Sequence, residues 1–286
     1  MARATVDKNG FFGRTCILSG NDVSEYEEVA LKAIHLAGQL LLDRSGQFTT
    51  REKGPKDLVT DVDLAAQQVI EQTIKSVFPD HAFLGEEGNR HPTDGATSWI
   101  AAQENCWIVD PLDGTTNYVH QLPFFAVSIA LWQHGLPRLG LVLDPVREEL
   151  FCASAGNGVT LNGDEISVST TSDLSQALGA VSFPANIEDE TDEVNRFVRA
   201  LQHCRSLRRI GSAALNLSYL AAGRLDAYWA SSVKSWDVAA GVLIVQEAGG
   251  LVTAIDGGDF QIDEPVIMAT ATGPLHASLL ELFRAS

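Results

Sequence analysis

Between residues 24 and 43, apolar side chains recur every three to four positions, at Val29, Ala33, Ile34, Ala37, Leu40 and Leu41. That spacing puts them on one face of a helix. Ser24 and Glu27, just ahead of the run, have the spacing of a capping box. A second helical stripe, Ala65, Ile70, Ile74 and Val77, closes at Pro79. The segment 53–63 between the two reads as a loop with a short extended piece. Short apolar runs at 82–85 and 107–109 predict strands, and longer ones follow at 124–132, 139–143 and 150–153. His134-Gly135 and Asn162-Gly163 mark two-residue hairpin turns. This part of the chain reads as helices packed on an antiparallel sheet.

From about Ser169 the rhythm changes. Predicted strands at 180–183, 206–210, 225–229, 251–255 and 266–269 interleave with predicted helices at 188–203, 213–222, 237–248 and 274–283, the α/β pattern. The expected organisation is an N-terminal α+β part over 24–169 and a C-terminal α/β part over 170–286. Residues 1–23 carry Arg3, Lys8 and Arg14 but no long apolar stretch, and read as a loose arm rather than a secretory leader.

The 286 residues are 45% apolar and 20% charged, as in a globular protein. No run approaches the roughly 18–20 apolar residues of a membrane span. The formal net charge of −17 argues against loose binding to nucleic acid or to an anionic membrane surface. It leaves room for a small anionic substrate if bound cations invert the local field. Cys16, Cys106, Cys152 and Cys204 are scattered without C-x-x-C or zinc spacing, which points to reduced thiols in a cytoplasmic protein.

The chemistry concentrates in W-I-V-D-P-L-D-G-T-T-N-Y-V-H, residues 107–120. An apolar strand runs into Asp110 and Asp113, and the two carboxylates bracket a proline. Like charges so close repel unless a proton or a cation lies between them. No lysine or arginine occurs between Trp107 and Arg138. Oxygen donors select a hard divalent cation such as Mg²⁺, and the same turn could aim the Leu112 carbonyl at it. Gly114 permits close approach to the backbone. Thr115 and Thr116 sit where a helix start would favour an anion. The alternative is a tight turn whose aspartate caps the next helix. Three further acidic spots carry the same ambiguity. Gly85-Glu86-Glu87 follows a strand, Asp57, Asp61 and Asp63 precede a helix that Asp63 would cap, and Asp237 opens a strongly apolar helix.

Five segments together resemble the inositol monophosphatase family, within the fructose-1,6-bisphosphatase-like metal-dependent phosphatases. They are D-L-V-T-D-V-D (57–63), G-E-E (85–87), the central motif (107–120), G-S-A-A-L-N-L (211–217) and W-D-V-A-A-G (236–241), the last followed by E-A-G-G (247–250). The resemblance runs from about Ser24 to the C-terminus. It implies a layered αβαβα sandwich, two or three Mg²⁺ ions, a homodimer, lithium sensitivity and hydrolysis of a small phosphate monoester such as inositol monophosphate.

Carried over by motif, Glu86, Asp110, the Leu112 carbonyl, Asp113 and Asp237 would hold the metals. Thr115 and Asp63 would orient the attacking water with help from Glu86, and Glu87 would support them from behind. Gly114 and Thr115 would meet the phosphate. Gly211, Ser212 and Ala213 would meet the alcohol portion alongside Asp237, with Arg208 as a neighbour. The family commonly has a glutamate seven positions before the last metal aspartate; here that position is Ala230, and Lys234 also departs from the usual pattern. The metal half of the motif set is therefore complete while the alcohol-reading half is altered. Histidinol phosphate and fructose 1,6-bisphosphate stay open as substrates, as does a catalytically silent binding or regulatory relative.

Overall fold

The structure, a computed structural model, describes residues 24–54, 57–88, 99–183 and 192–284. The N-terminal arm, Cys16 and the first residues of the helix expected at 188 lie outside them. So do the side chains of Ser24 and Asp57, and with them the capping box expected at Ser24.

Among the described residues three sheets form. Helix α1 (Ser24–Asp43) leads into a small antiparallel pair, β1 (Thr50–Gly54) and β2 (Asp57–Thr60), and then into α2 (Asp61–Lys75). A seven-stranded sheet follows in chain order: β3 (Ala82–Gly85), β4 (Asn105–Asp113), β5 (Ala126–Gln133), β6 (Leu136–Asp144), β7 (Glu149–Ser154), β8 (Val159–Leu161) and β9 (Asp164–Glu165). The short helix α3 (Thr115–Val119) lies between β4 and β5. The sheet is antiparallel as expected, except that β3 and β4 run parallel.

The second half supplies a five-stranded sheet in the order β11 (Ser206–Arg208), β10 (Leu178–Ser182), β12 (Ala227–Ala230), β14 (Ile267–Thr270), β13 (Leu251–Thr253). Helices α4 (Asp192–His203), α5 (Ala213–Ala221), α6 (Ser235–Glu247) and α7 (Gly273–Arg284) accompany it. Strands β10, β11 and β12 are parallel, as the alternating pattern implies, but β14 runs against both of its neighbours.

Strand alternation builds the layers. On one face of the large sheet, Val109, Val127, Ile129, Leu139 and Leu141 meet Ala33, Ile34 and Ala37 of α1 and Ile70 and Ile74 of α2. The intervening residues, among them Ile108, Ala130, Val142 and Phe151, face α5 and α6. Those helices also receive Ala180, Tyr228, Ala230 and Ala269 from the five-stranded sheet. Its other face, with Val181, Trp229 and Met268, is closed by Ala200 of α4 and by Leu275 and Leu279 of α7. The result is an αβαβα sandwich. It explains why α5 and α6 show no polar face in the sequence, since a helix between two sheets is buried all round. The three described cysteines, Cys106, Cys152 and Cys204, are buried free thiols.

The Asn162-Gly163 and His134-Gly135 signals do form turns, with positive φ at all four residues (53°, 85°, 49° and 78°). The first closes β8 onto β9, two strands too short to leave an alternation in the sequence.

The middle helical layer sits close to the large sheet. A Cβ built on Gly140 of β6 would lie 2.8 Å from the Ala240 carbonyl oxygen of α6, so backbone meets backbone there. Gly140→Ala is expected to destabilise the fold by about 1–3 kcal/mol through overpacking. Thermal unfolding checks this, and an unchanged or raised midpoint would show that α6 is free to back away.

Candidate active site and metal centre

Sequence pattern places Asp110 just after a strand. In the structure the strand continues through it, because β4 runs to Asp113 with a bulge. Asp110 pairs with Ser128 and Asp113 with Ala126, so three steps on β4 match two on β5. In a regular strand, residues three apart point to opposite faces. The extra residue cancels that parity and turns both aspartates toward the layer of α5 and α6. Pro111 is tolerated because a bulge asks it for no ladder N–H.

Each carboxylate is tethered. Asp110 Oδ1 accepts the Leu112 N–H at 3.0 Å. Asp113 Oδ2 accepts the Ser212 hydroxyl at 2.5 Å and the Ala214 N–H at 2.7 Å. Asp237 Oδ2 accepts the Lys234 N–H at 2.7 Å, which makes Asp237 the third residue of α6 rather than its cap. Asp63 is likewise the third residue of α2, not the cap. Thr60 caps that helix, and its N–H donates to Asp63 Oδ2 at 2.9 Å while its hydroxyl bonds the same oxygen. The other oxygen of Asp63 lies 3.2 Å from the Thr115 hydroxyl, which also stands 3.1 Å from the Leu112 carbonyl. A hydroxyl has one proton, so it donates to one of these acceptors at a time.

Glu86 follows β3, its N–H donating to Val109 O at 3.2 Å. Beside it, buried Glu87 is gripped through its backbone by Gln67: Nε2 donates to the Glu87 carbonyl at 2.6 Å, and the Glu87 N–H donates to Oε1 at 2.7 Å. A Cβ on Gly85 would lie 2.3 Å from Gln67 Oε1, so glycine there is what admits the amide. Asn117 performs a similar service across the site. Its Nδ2 donates to Phe124 O at 2.7 Å and to Ile210 O at 2.8 Å, joining the central motif to the loop before α5. Gly114 (φ 95°) fits against that loop, where a Cβ would lie 3.2 Å from Gly211 O.

A cavity of about 490 Å³ opens above this floor, and Asp113, Thr116, Gly211, Ala213, Arg209 and Asp237 are among the residues that line it. A model of the inositol monophosphatase family matches residues 22–286. The chain belongs to that family. It is 41% identical over 250 residues to the Nus factor SuhB of Pseudomonas aeruginosa, covering 85% of this chain and 90% of that protein. It is 37% identical over 275 residues to the inositol-1-monophosphatase of Synechocystis, covering 94% and 92%. The crystal structure of extragenic suppressor protein SuhB from Bartonella henselae superposes with a TM-score of 0.83 at 33% identity, covering 92% of this chain and 99% of that one. Membership in this inositol monophosphatase family makes the chain a phosphatase by lineage.

Electrostatics mark the floor of the cavity. Asp110 is held well above the ordinary carboxylate range by loss of water, then by the charges of Glu86, Asp113 and Asp237. Desolvation and the Asp113 charge push Asp237 up to about 8, against the pull of the Lys234 N–H. Desolvation lifts Asp113 to about 6, against the pull of Ser212 and the Ala213 and Ala214 amides. Asp63 is raised by burial. No described lysine or arginine forms an ion pair with Asp110, Asp113 or Asp237. Among the described residues no three carboxylates, imidazoles or thiols are already closed into a coordination cluster. The donor chemistry nonetheless suits a hard cation: oxygens only, several of them anionic, and mutually repelling.

The structure thus brings Asp63, Glu86, Asp110, Asp113, Thr115 and Asp237 together. It turns the Ser212 side chain away from the cavity, because that hydroxyl caps α5 and bonds Asp113. Arg208 is exposed and bonds Ser206 Oγ and Leu207 O within its own stretch, while the next residue, Arg209, lines the cavity. Lys234 is an exposed helix cap. Gln67, Asn117, Ser182, Phe183 and Arg209 are not singled out by the sequence pattern. Only Asn117 carried a signal, its place inside the central motif.

A carboxylate whose pKa is raised on folding favours the fold at acid pH. That contribution is lost as pH climbs from about 4 through about 6 for Asp113 and about 8 for Asp237. In chelating buffer the unfolding midpoint is therefore expected to fall as pH rises across that window, and Asp237→Asn to raise it at the alkaline end. An Asp237→Asn variant no more stable than the parent there would show that the repulsion is already relieved.

Proposed function

We propose that this chain is a Mg²⁺-dependent phosphatase that hydrolyses a small phosphate monoester, inositol monophosphate or a related polyol phosphate. One observation carries the reading: Asp110, Asp113 and Asp237 form a crowded acidic floor on which the Glu86 charge also acts, and no described lysine or arginine forms an ion pair with those three aspartates. Glu86, Asp110, the Leu112 carbonyl, Asp113 and Asp237 would hold the metal ions. Bound Mg²⁺ supplies Lewis-acid stabilisation of charge and makes water more acidic at neutral pH.

The chain's own groups position the rest. Thr115 donates its proton to Asp63, which leaves a hydroxyl lone pair to receive a proton of the attacking water. Asp63, shielded from solvent and anchored by Thr60, fixes that orientation. The Gly114 and Thr115 amides meet the phosphate, and Gly211 and Ala213 flank the alcohol. Glu87, clamped through its backbone by Gln67, holds Glu86 in place. Dimerisation, lithium inhibition and a cytoplasmic setting complete the reading. Among the described residues no helix is long and apolar enough to cross a membrane.

A second reading draws on the relative named Nus factor SuhB from Pseudomonas aeruginosa, which matches at 41% identity over 90% of its length. On it, the chain also associates with the transcription machinery. The net charge of −17 favours a protein contact over a nucleic-acid one. Co-purification of RNA polymerase with tagged full-length chain tests it.

Asp110→Asn is expected to abolish Mg²⁺-dependent phosphate release from inositol 1-phosphate, and Thr115→Ala to lower kcat by about 10²–10⁴-fold through loss of water orientation. Wild-type turnover in the first variant would end the metal assignment. Comparing kcat/KM for inositol 1-phosphate, histidinol phosphate and fructose 1,6-bisphosphate ranks the substrates, and millimolar lithium is expected to inhibit. Sedimentation equilibrium should return about twice 30.8 kDa; a mass of 30.8 kDa itself would rule out the homodimer.

A further inference from the structure

Besides Asp113 and Asp237, the cavity lining includes a wall of Ser182, Phe183, Arg209, Ile210, Ser232 and Val233. Among the described residues, no carboxylate stands on this wall. Ala230, at the end of β12, is paired in register with Ser182 of β10 and contributes no polar group. The Ser182 hydroxyl is engaged at 3.0 Å by the buried Tyr228 hydroxyl. The polarity on this side is therefore neutral, with one exception.

The exception is Arg209. Its guanidinium lies 5.7 Å from the centre of the Phe183 ring. That cation–π contact steadies the group without neutralising it. Arg147, Arg196 and Arg224 are each committed to a carboxylate, and Arg208 to Ser206 and Leu207. Among the described residues Arg209 enters no ion pair or hydrogen bond, in a chain whose net charge is −17. A guanidinium with its donors unspent suits a planar carboxylate or a phosphate. Lys234, the other cation near the sequence motif, is not part of the wall.

We propose that Arg209 is a specificity-determining residue, and that the alcohol portion of the substrate carries a second anionic group, phosphate or carboxylate, which Arg209 receives. This rests on the phosphatase reading above and refines it. The ester phosphate lies on the acidic floor, and the second anion reaches across the cavity to the Phe183–Arg209 pair. A neutral polyol phosphate fills the same floor but leaves the guanidinium unused.

The test compares kcat/KM of the full chain with Mg²⁺ on fructose 1,6-bisphosphate, 3-phosphoglycerate and inositol 1-phosphate, for the wild type, Arg209→Lys, Arg209→Ala and Arg209→Glu. The ratio for the anion-bearing esters over inositol 1-phosphate is expected to fall by about tenfold in Arg209→Ala, mainly through KM. It should fall further in Arg209→Glu and be partly kept in Arg209→Lys. The bisphosphate and the carboxylate arms show which anion is preferred. Ratios unmoved by all three substitutions overturn the proposal, as does a shift in sedimentation mass of Arg209→Ala, which would assign the residue to a contact between copies. If the wild type releases phosphate from none of these esters, the phosphatase reading falls. Calorimetric titration with fructose 1,6-bisphosphate then decides the role of Arg209: binding about tenfold weaker in Arg209→Ala supports it, and equal binding refutes it.

Discussion

Carboxylates crowded together away from bulk water are the constraint on which the rest of this structure depends. Left alone they repel, and the raised proton affinities of Asp110, Asp113 and Asp237 express that repulsion. The fold answers with a repeated device: an oxygen of each aspartate is tied to a scaffold amide or hydroxyl. Asp110 is tied by Leu112, Asp113 by Ser212 and Ala214, Asp237 by Lys234 and Asp63 by Thr60. The tethers fix direction without discharging the group. Destabilising charges are kept where hydrophobic layers on both sides can offset them, a common expense of functional sites.

The layering is what makes convergence possible. Asp110 and Asp113 come from the large sheet, Asp237 from the helical layer behind it, Asp63 from the outer helical layer, and Glu86 from the parallel strand at the sheet edge. Because α5 and α6 are packed on both faces, their N-terminal ends have little freedom to move relative to β4. The Ser212–Asp113 bond and the Asn117 bridge then close the seam between the central motif and the loop before α5.

Much of this was legible in the sequence. Helical stripes and apolar runs located the main elements, and the family motifs gave the acidic set. What was hidden depends on tertiary partners. The parity of Asp110 and Asp113 depends on a bulge, and a bulge is defined only against the neighbouring strand. Asp63 and Asp237 looked like caps because a residue at a helix start and one three positions in differ only by where the helix begins. Thr60 and Lys234 decide that. Gln67 reads as one polar residue beside an apolar stripe, and its grip on Glu87 depends on a contact twenty positions away. Arg208 and Arg209 are adjacent, and only the strand's orientation tells which one faces the cavity. The direction of β14 and the short β8–β9 pair were likewise set by packing rather than by local pattern.

The cavity draws its two sides from different stretches of chain. Most of the acidic floor is encoded before residue 115, whereas the Arg209 wall comes from the ends of β10, β11 and β12 and the turn after them. Mutational drift in those later stretches can therefore retune which molecule is accepted while leaving the reactive chemistry inherited intact. A lineage built on this scaffold can diversify its diet of substrates by editing strand ends, with Asp237 as the point where both inheritances meet.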